Sequence, residues 1–270
     1  MKFSEINNLF EQASERFNIK NDKFYTLPSV AKMCIRQLNL KSYDRIIEPS
    51  AGSGAFSKQI PNCEAYDLVP EGDNIKQQDF LKFETEKGNI LVIGNPPFGK
   101  SNSLTLAFIN HAAKFARTIA FILPRSCEKD TFIDKLDPSV HIRKVVQLPK
   151  KAFVINGDTP YHVNCSFIIF DVRKKQREKR VPATTNDFTF VSKANADMAI
   201  KRKGWKVGKI IPMNSDISEA SRYYIKANIN KKVLEDRINS LVYPEANMVL
   251  GSDSVSQQEI IRAYANKYRG

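Results

Sequence analysis

The chain has few cysteines and histidines and no long apolar run, and each shortage argues against a class of protein. It contains 4 cysteines and 3 histidines in 270 residues. No C-x-x-C pair occurs and no histidine stands at zinc spacing, so a metal site is not expected. No apolar run reaches the ~18 residues of a membrane-spanning helix. The opening residues, MKFSEINNLF, lack a secretory pattern. We therefore expect a cytoplasmic or nuclear protein with reduced cysteines and no membrane partner.

Positive charge, by contrast, is abundant and unevenly distributed. The chain has 42 Lys and Arg against 29 Asp and Glu, a net charge of +13. Residues 171–270 carry +9 of that charge, from 20 basic and 11 acidic side chains. Clustered positive charge favours a polyanionic partner, because neutralising phosphates releases condensed counterions. A well-solvated basic surface is the alternative, and charge alone does not decide between the two.

Helix-like and strand-like segments alternate along the first two thirds of the chain. Short apolar runs, rich in β-branched residues, occupy 45–49, 64–69, 89–95, 118–124, 142–149 and 165–172. Several are almost continuously apolar, as in strands that are buried on both faces of a parallel sheet. Helical patterns cover 4–18 and 105–116, and a further helix is expected from Pro28. The alternation predicts a doubly wound α/β sheet, and the turn at 156–158 predicts an antiparallel hairpin at one edge.

A basic segment, RKKQREKR at 173–180, predicts a boundary between residues 1–175, a catalytic domain, and residues 176–270, a small basic region. Weaker strand patterns follow at 187–191, 205–211 and 223–227. Ser256 and Glu259 have the spacing of a capping box before a final helix. The second region is therefore expected to be β-rich and helical, and it is the candidate for nucleic-acid recognition.

Three motifs with ligand-binding character follow the first three predicted strands. In EPSAGSGAF, at 48–56, Gly52 and Gly54 permit a tight turn close to a ligand, and a helix is expected from about Ala55. Asp67 ends the next strand, where a carboxylate is positioned to accept from ribose hydroxyls. A further short strand, not among the runs above, is expected just before QQDF, and Asp79 in that segment is positioned to accept from an adenine amino group. Each has a plain alternative, a tight turn or a surface carboxylate.

The fourth motif, Asn95-Pro96-Pro97-Phe98, follows the next strand. Two prolines cannot continue a strand, and a residue before proline is held extended. The amide oxygen of Asn95 and the carbonyl of Pro96 would then be two neighbouring acceptors beside an aromatic ring. A simple strand terminator is the alternative. All four motifs fall on the edge where open α/β sheets bind ligands. Agreement of all four by chance is far rarer than chance agreement of one.

Together, Glu48–Phe56 and Asn95–Phe98 resemble the class I S-adenosylmethionine-dependent methyltransferases that carry an Asn-Pro-Pro-aromatic motif. The chain is most similar to the adenine-N6 DNA methyltransferases, over about residues 20–172. The resemblance implies a Rossmann-like, mostly parallel seven-stranded sheet with an antiparallel edge strand, and S-adenosyl-L-methionine as cofactor. It implies cofactor binding by Phe24, Tyr25, Thr26, Pro28, Glu48, Ala51, Gly52, Gly54, Asp67 and Asp79. It implies catalysis by Asn95, Pro96, Pro97 and Phe98, with Phe98 stacking on the target base.

Several alternatives remain open under this resemblance. Phe98 stands where many DNA enzymes have tyrosine and where RNA adenine-N6 enzymes also have phenylalanine, so the choice between DNA and RNA stays open. DNA is the first candidate from the resemblance as a whole. A glutamine-N5 protein methyltransferase and a catalytically silent nucleic-acid-binding module are the other candidates. His111, His141 and His162 are expected to be surface or packing residues.

The most basic stretch of the second region surrounds a single tryptophan. It combines phosphate-binding charge with an aromatic ring, as a nucleic-acid contact requires. The alternative is a basic strand pair with the tryptophan packed inward. The predicted contact residues are Lys201, Arg202, Lys203, Trp205, Lys206 and Lys209.

Overall fold

The computed structural model describes residues 24–155, 159–161, 163–248 and 253–268. The predicted helix at 4–18, the predicted turn at 156–158 and His162 lie outside the described residues. The chain divides into two compact units, Met1–Glu178 and Lys179–Gly270, which we call unit 1 and unit 2.

Unit 1 contains two β-sheets. Its strands, in chain order, are β1 (Tyr25–Thr26), β2 (Arg45–Glu48), β3 (Glu64–Asp67), β4 (Ile75–Gln77), β5 (Ile90–Gly94), β6 (Thr118–Pro124), β7 (Val140–Gln147), β8 (Phe153–Ile155), β9 (Thr159–Tyr161) and β10 (Cys165–Val172). The small sheet has the order β1-β8-β9 and is antiparallel. The large sheet has seven strands in the order β4-β3-β2-β5-β6-β10-β7.

The large sheet confirms the predicted Rossmann-like α/β fold. Strands β2 to β6 pair in parallel, while β10 runs antiparallel to both β6 and β7. The antiparallel strand is therefore second from the edge, and β7 is the edge strand. Chain order reverses between β2 and β5, which are adjacent in the sheet although β3 and β4 separate them in sequence. The crevice at the carboxyl ends of such a strand pair is the usual ligand-binding position of an open α/β sheet.

Strand β6 shows why the central strands are almost entirely apolar. All seven of its residues are buried, and successive side chains of a strand point to opposite faces. Ile119, Phe121 and Leu123 pack into the core on one face. Ala120 and Ile122 pack into a second core on the other face. A sheet buried on both sides requires this continuous apolar pattern, and so it reads as a run rather than an alternation.

The helices of unit 1 are shorter than the sequence patterns indicate. They are α1 (Pro28–Ile35), α2 (Ser103–Ala112) and α3 (Asp130–Ile133). Pro28 opens α1 as predicted. The helix expected from Ala55 was wrong, because only a 3-10 turn forms, at Ser57–Gln59. The Phe56 and Ser57 amides, which would lie in the first turn of such a helix, instead donate to the Glu48 carboxylate.

Unit 2 is an antiparallel sheet with two helices and its own core. Its strands are β11 (Phe188–Phe190), β12 (Met198–Lys201), β13 (Ile210–Ile211) and β14 (Arg222–Ala227), in the order β11-β14-β12-β13. Its helices are α4 (Lys231–Asn239) and α5 (Gln257–Tyr268). The capping box before α5 is confirmed: the Ser256 amide donates to Glu259 Oε2 at 2.6 Å, and the Glu259 amide donates to Ser256 Oγ at 3.2 Å.

The strand predicted at 205–211 was wrong for most of its length. Only Ile210–Ile211 are in a strand. Gly204, Lys206 and Gly208 have φ values of +89°, +57° and +73°, which belong to turns and not to extended chain. The apolar residues of this segment gave a strand-like pattern, but Gly208 within it and Gly204 just before it allow a compact turn instead.

Within the described ranges, no helix is long and apolar enough to cross a membrane. The same residues contain no group of three or more His, Cys, Asp or Glu arranged to hold a metal ion. The four cysteines are free thiols, and Cys34, Cys127 and Cys165 are buried among apolar side chains.

Candidate active site at the carboxyl edge of the sheet

Asp67 binds the glycine turn that follows β2. Gly52 and Gly54 have φ values of +53° and +85°, which L side chains rarely adopt. The Gly52 amide donates to Asp67 Oδ2 at 2.7 Å, and the Val69 amide donates to Asp67 Oδ1 at 2.9 Å. Two of the predicted motifs are thus in direct contact, and Asp67 holds the turn against the end of β3.

Glu48 binds the backbone at the end of this loop. Its side chain is 1% exposed, and its Oε2 accepts from the Ser57 amide at 2.7 Å. Oε1 accepts from the Phe56 amide at 3.4 Å. Burial raises the pKa of the Glu48 carboxyl to about 7, although the hydrogen bonds from Ser57 and Phe56 oppose the rise. Glu48 therefore organises the loop through its backbone, a role that the sequence did not distinguish from ligand contact.

Tyr25 lies over the same glycine turn. A side-chain carbon at Gly52 would be 3.7 Å from the Tyr25 ring. The Tyr25 hydroxyl donates to Glu71 Oε2 at 2.7 Å, and the Glu71 amide donates to the Gly52 carbonyl at 3.1 Å. Burial and the Glu71 carboxylate raise the Tyr25 pKa to about 12, so the phenol keeps its proton. Sequence reasoning missed Glu71, although it follows Asp67 by four residues at the same edge of the sheet.

Thr26 and Pro28 continue this segment. Thr26 is 6% exposed, and its Oγ1 is buried with no hydrogen-bond partner among the described residues. The Pro28 carbonyl accepts from Gln59 Nε2 at 3.0 Å, which joins α1 to the end of the glycine loop. The buried Ala51 lies in that loop, and its carbonyl accepts from the Gly54 amide at 2.7 Å.

Asp79 caps a short helix. Its Oδ1 accepts from the Leu81 amide at 3.0 Å, at the start of the 3-10 helix Phe80–Lys82. Its Oδ2 lies 3.6 Å from the Lys82 ammonium. The described contacts of Asp79 are therefore local and give no link to the glycine turn.

Asn95 presents an unpaired amide oxygen beside these elements. Its Nδ2 donates to the Phe24 carbonyl at 3.0 Å, and its backbone carbonyl accepts from Ser50 Oγ at 3.3 Å. A carbonyl only accepts, so the amide group must face Phe24 with its nitrogen, and Oδ1 must point elsewhere. Asn95 Oδ1 is buried and has no hydrogen-bond partner among the described residues. A buried unpaired oxygen is costly, which makes it a candidate ligand-binding atom.

Phe98 is packed inside the protein. It is 3% exposed, and its ring stacks on Phe24 with 6.2 Å between ring centroids and 27° between planes. Phe24 also contacts Phe153, with 6.2 Å between centroids. Stacking of Phe98 on a target base would require Phe24 to give up this face. Phe153 was missed from sequence, because its contact depends on a pairing of β1 with β8 that no local pattern reveals.

The two described histidines have packing roles. His111 Nε2 bonds the Phe83 carbonyl at 2.8 Å, and its ring lies edge-on to Phe80 and Phe115. His141 Nε2 bonds a backbone carbonyl, that of Lys175, at 2.8 Å.

The predicted contact residues of unit 2 differ in their surroundings. Trp205 is 76% exposed, so the alternative of an inward-packed tryptophan was wrong. Lys206 Nζ lies 4.2 Å from the centre of its ring. Lys209 instead donates to the carbonyls of Asn239 and Leu241, both at 2.7 Å, at the end of α4.

The other three basic side chains flank the turn that carries Trp205. Arg202 lies over the Tyr223 ring at 5.4 Å and donates to the Ala220 carbonyl at 3.2 Å. Lys201 is half-buried in β12, and Lys203 is exposed. Of the predicted set, Lys203 and Lys206 are thus the cations most accessible to a partner.

No protein-family model matches this chain, and no curated protein matches it. Several solved structures are similar at low identity. A modification subunit assigned to a type I restriction enzyme of Vibrio vulnificus is 13% identical, with a TM-score of 0.41, over 68% of this chain and 49% of that one. This chain therefore spans about half of that subunit.

Two further structures are similar at the same level. The 23S rRNA methyltransferase ErmE is 13% identical, with a TM-score of 0.40, over 58% of this chain and 72% of that one. The N-methyltransferase NodS of Bradyrhizobium japonicum, in complex with S-adenosyl-L-homocysteine, is 16% identical, with a TM-score of 0.39, over 60% of this chain and 97% of that one. Likenesses this distant do not define an activity, so the chemistry of the site is argued from its own residues.

Proposed function

We propose that the protein transfers a methyl group from S-adenosyl-L-methionine to the N6 amino group of adenine in DNA. One observation carries the proposal. Asn95 is fixed by its bond to Phe24, and its Oδ1 is buried at the switch point of the sheet with no partner among the residues that the structure describes. An acceptor prepared in this way is suited to the N–H of an exocyclic amine.

The residues at this edge fit the proposed cofactor. The glycine turn offers a close backbone approach, and Asp67 at the end of β3 suits a ribose hydroxyl pair. Thr26 Oγ1 is a second buried and unpaired polar atom, on the segment that the resemblance assigns to the methionine end. When bound, the cofactor would supply an activated methyl group on a sulfonium.

The chain's own residues would orient the acceptor. The lone pair of an exocyclic adenine amine is delocalised into the ring, which makes the amine a poor nucleophile. Hydrogen bonds from its two N–H groups to Asn95 Oδ1 and the Pro96 carbonyl would make the nitrogen more pyramidal. Its lone pair would then point at the methyl group that the bound cofactor would supply, and after transfer the product would lose one proton to solvent. This chemistry needs orientation in a dry site and no strong base.

The stacking role of Phe98 requires a movement. Phe24 covers one face of the Phe98 ring and also provides the carbonyl that fixes Asn95. We propose that entry of a base displaces the Phe24 ring while its carbonyl stays in place. The stacked pair of Phe24 and Phe98 would then open an apolar space next to the Asn95 oxygen only when a base enters it.

DNA is the first candidate because the motifs are most similar to those of adenine-N6 DNA methyltransferases, and the charge and exposed aromatic of unit 2 suit a polyanion with splayed bases. The deciding experiment incubates the protein with methyl-labelled cofactor and four pools in parallel: double-stranded DNA, single-stranded DNA, RNA and protein. Digestion to nucleosides should recover the label as N6-methyl-2′-deoxyadenosine from a DNA pool. Label confined to RNA, or to glutamine in protein, would replace the proposed substrate. Binding without label would favour a silent module.

Substitutions of Asn95 test the acceptor directly. Asn95→Ala should lower kcat by about 100-fold or more, by analogy with the loss of one transition-state hydrogen bond in other enzymes. Cofactor affinity should change little, because the glycine turn and Asp67 are untouched. Ser50→Ala is a matched control, since it removes the neighbouring bond to the Asn95 backbone and leaves the amide oxygen. Comparable activity of Asn95→Ala and Ser50→Ala would contradict the assignment.

A further inference from the structure

Trp205 is an exposed aromatic ring in a polar setting. It is the one tryptophan of the chain and is 76% exposed. Tryptophan is among the most heavily buried residues on average, so such exposure is uncommon. Its chain neighbours on one side are Lys203 and Gly204, and Lys206 follows it, so no apolar patch continues from it along the chain. Val207, the next apolar residue, is buried.

The turn that carries Trp205 is held at both ends. The Gly204 amide donates to the Asp253 carbonyl at 2.8 Å, and Lys203 forms a β-bridge with Ser254. The Gly208 amide donates to the Lys201 carbonyl at 2.7 Å. The ring is thus presented by a fixed backbone.

Gly208 makes that presentation possible. A side-chain carbon at Gly208 would lie 2.0 Å from the Tyr243 ring, so the ring packs directly against the glycine backbone. Tyr243 also donates its hydroxyl to the Gly208 carbonyl at 3.4 Å. Gly204 and Lys206 are also in left-handed conformations, so the chain makes a turn that buries Val207 in the core of unit 2 and leaves Trp205 exposed.

Cationic groups lie at the tip. Lys206 Nζ is 4.2 Å from the centre of the indole ring, and Lys203 is exposed two residues before it. An aromatic ring next to exposed lysines provides a π-face for a base and charges for its phosphates. A membrane anchor or a protein hot spot would instead continue into further apolar surface.

We propose that Trp205 is a stacking platform for an unpaired nucleobase, with Lys203 and Lys206 contacting the phosphates on either side. This inference rests on the proposed nucleic-acid substrate and names its contact in unit 2. It applies to single-stranded or splayed nucleic acid, because a base must leave its partner to lie on the ring. Stacking on an aromatic face is tolerant of sequence, so this contact would contribute affinity and not specificity.

The single tryptophan makes the test direct, since all indole emission comes from this position. Titration with a single-stranded oligodeoxynucleotide should quench the emission and protect it from acrylamide. Heparin has the charge but no bases, and it should bind without comparable quenching. Equal quenching by heparin would show that Trp205 only senses the binding of anionic groups and does not stack on a base. Quenching by anionic phospholipid vesicles alone would assign Trp205 to a membrane contact. Either result overturns the proposal.

Variants then measure the contribution of the ring. Trp205→Leu should weaken oligonucleotide binding about fivefold to a hundredfold, from the usual strength of base–aromatic stacking. Trp205→Phe should recover most of the affinity. Val242→Ala is a matched control, because Val242 is also an apolar residue of unit 2 and is also 76% exposed. Equal affinity of Trp205→Leu and wild type contradicts the proposal.

Binding and methyl transfer separate the two proposals. Quenching by oligonucleotides without any methyl transfer would keep the stacking site and reject the enzyme. Methyl transfer to DNA with unchanged indole emission would keep the enzyme and reject the stacking site.

Discussion

Replacing Glu48 by glutamine removes the charge of this buried side chain and nearly preserves its shape. Its pKa of about 7 in the folded chain compares with 4.5 for an ordinary glutamate. Because the folded state binds this proton more tightly, the associated stability is complete below pH 4.5 and is lost as pH rises through 7. Each pH unit in that window contributes about 1.4 kcal/mol, so the total loss is about 3 kcal/mol.

The assay is urea unfolding of wild type and Glu48→Gln from pH 4 to pH 8. Wild-type stability relative to the variant should fall by about 3 kcal/mol across the window, with any constant difference reporting the altered bond to the Ser57 amide. Glu86→Gln, at an exposed position, controls for the change in net charge. The NMR chemical shifts of the Glu48 carboxyl carbon and of the Ser57 amide should also change with a midpoint near pH 7. A relative stability that is flat, or that rises with pH, would refute the reasoning.

Two further predictions concern single contacts. Gly208→Ala should destabilise unit 2 by about 2–4 kcal/mol, because a side-chain carbon would clash with Tyr243 as well as strain the backbone. Unfolding followed by Trp205 emission measures the loss. Gly204→Ala should lose only the part of this stability that comes from backbone strain. Equal losses in the two variants would argue against a clash with Tyr243. Asp67→Asn should weaken cofactor binding at least about tenfold in calorimetry, because asparagine has one oxygen and so either the Gly52 or the Val69 amide loses its acceptor. Unchanged affinity would argue against the ribose role.

The fold could be predicted from sequence where burial alone determines the pattern. A strand such as β6, buried on both faces, must be apolar throughout, and β2, β3, β5 and β10 were found in the same way. The capping box at Ser256 was equally predictable, because both of its partners lie within one turn of chain. Both signals depend on residues that are close together along the chain, so the sequence alone reveals them.

The site could be predicted only in part, because its key contacts join distant segments. The Gly52–Asp67 pair follows from the rule that parallel strands end at one edge. The bond from Asn95 to the Phe24 carbonyl spans 71 residues and depends on the small sheet that β1 forms with β8. No periodicity records that pairing, so neither the fixed Asn95 amide nor the covered Phe98 ring was foreseen.

The strand predicted at 205–211, around Trp205, was wrong for a different reason. Its apolar residues suggested a strand, but Gly204 and Gly208 allow left-handed backbone that a strand never uses. Whether such glycines break a strand depends on what packs against them. Here the Tyr243 ring occupies the space where a side chain at Gly208 would be. That partner is 35 residues away, beyond the reach of a local pattern.

The central claim is that the Asn95 amide oxygen accepts a hydrogen bond from the amino group that is methylated. A crystal structure with an adenine-containing single-stranded oligonucleotide and a non-reactive cofactor analogue tests it most directly. The adenine N6 should lie within hydrogen-bonding distance of Asn95 Oδ1, with Nδ2 still donating to the Phe24 carbonyl. An adenine bound elsewhere, or an Asn95 oxygen that remains unpaired beside the bound analogue, would contradict the account.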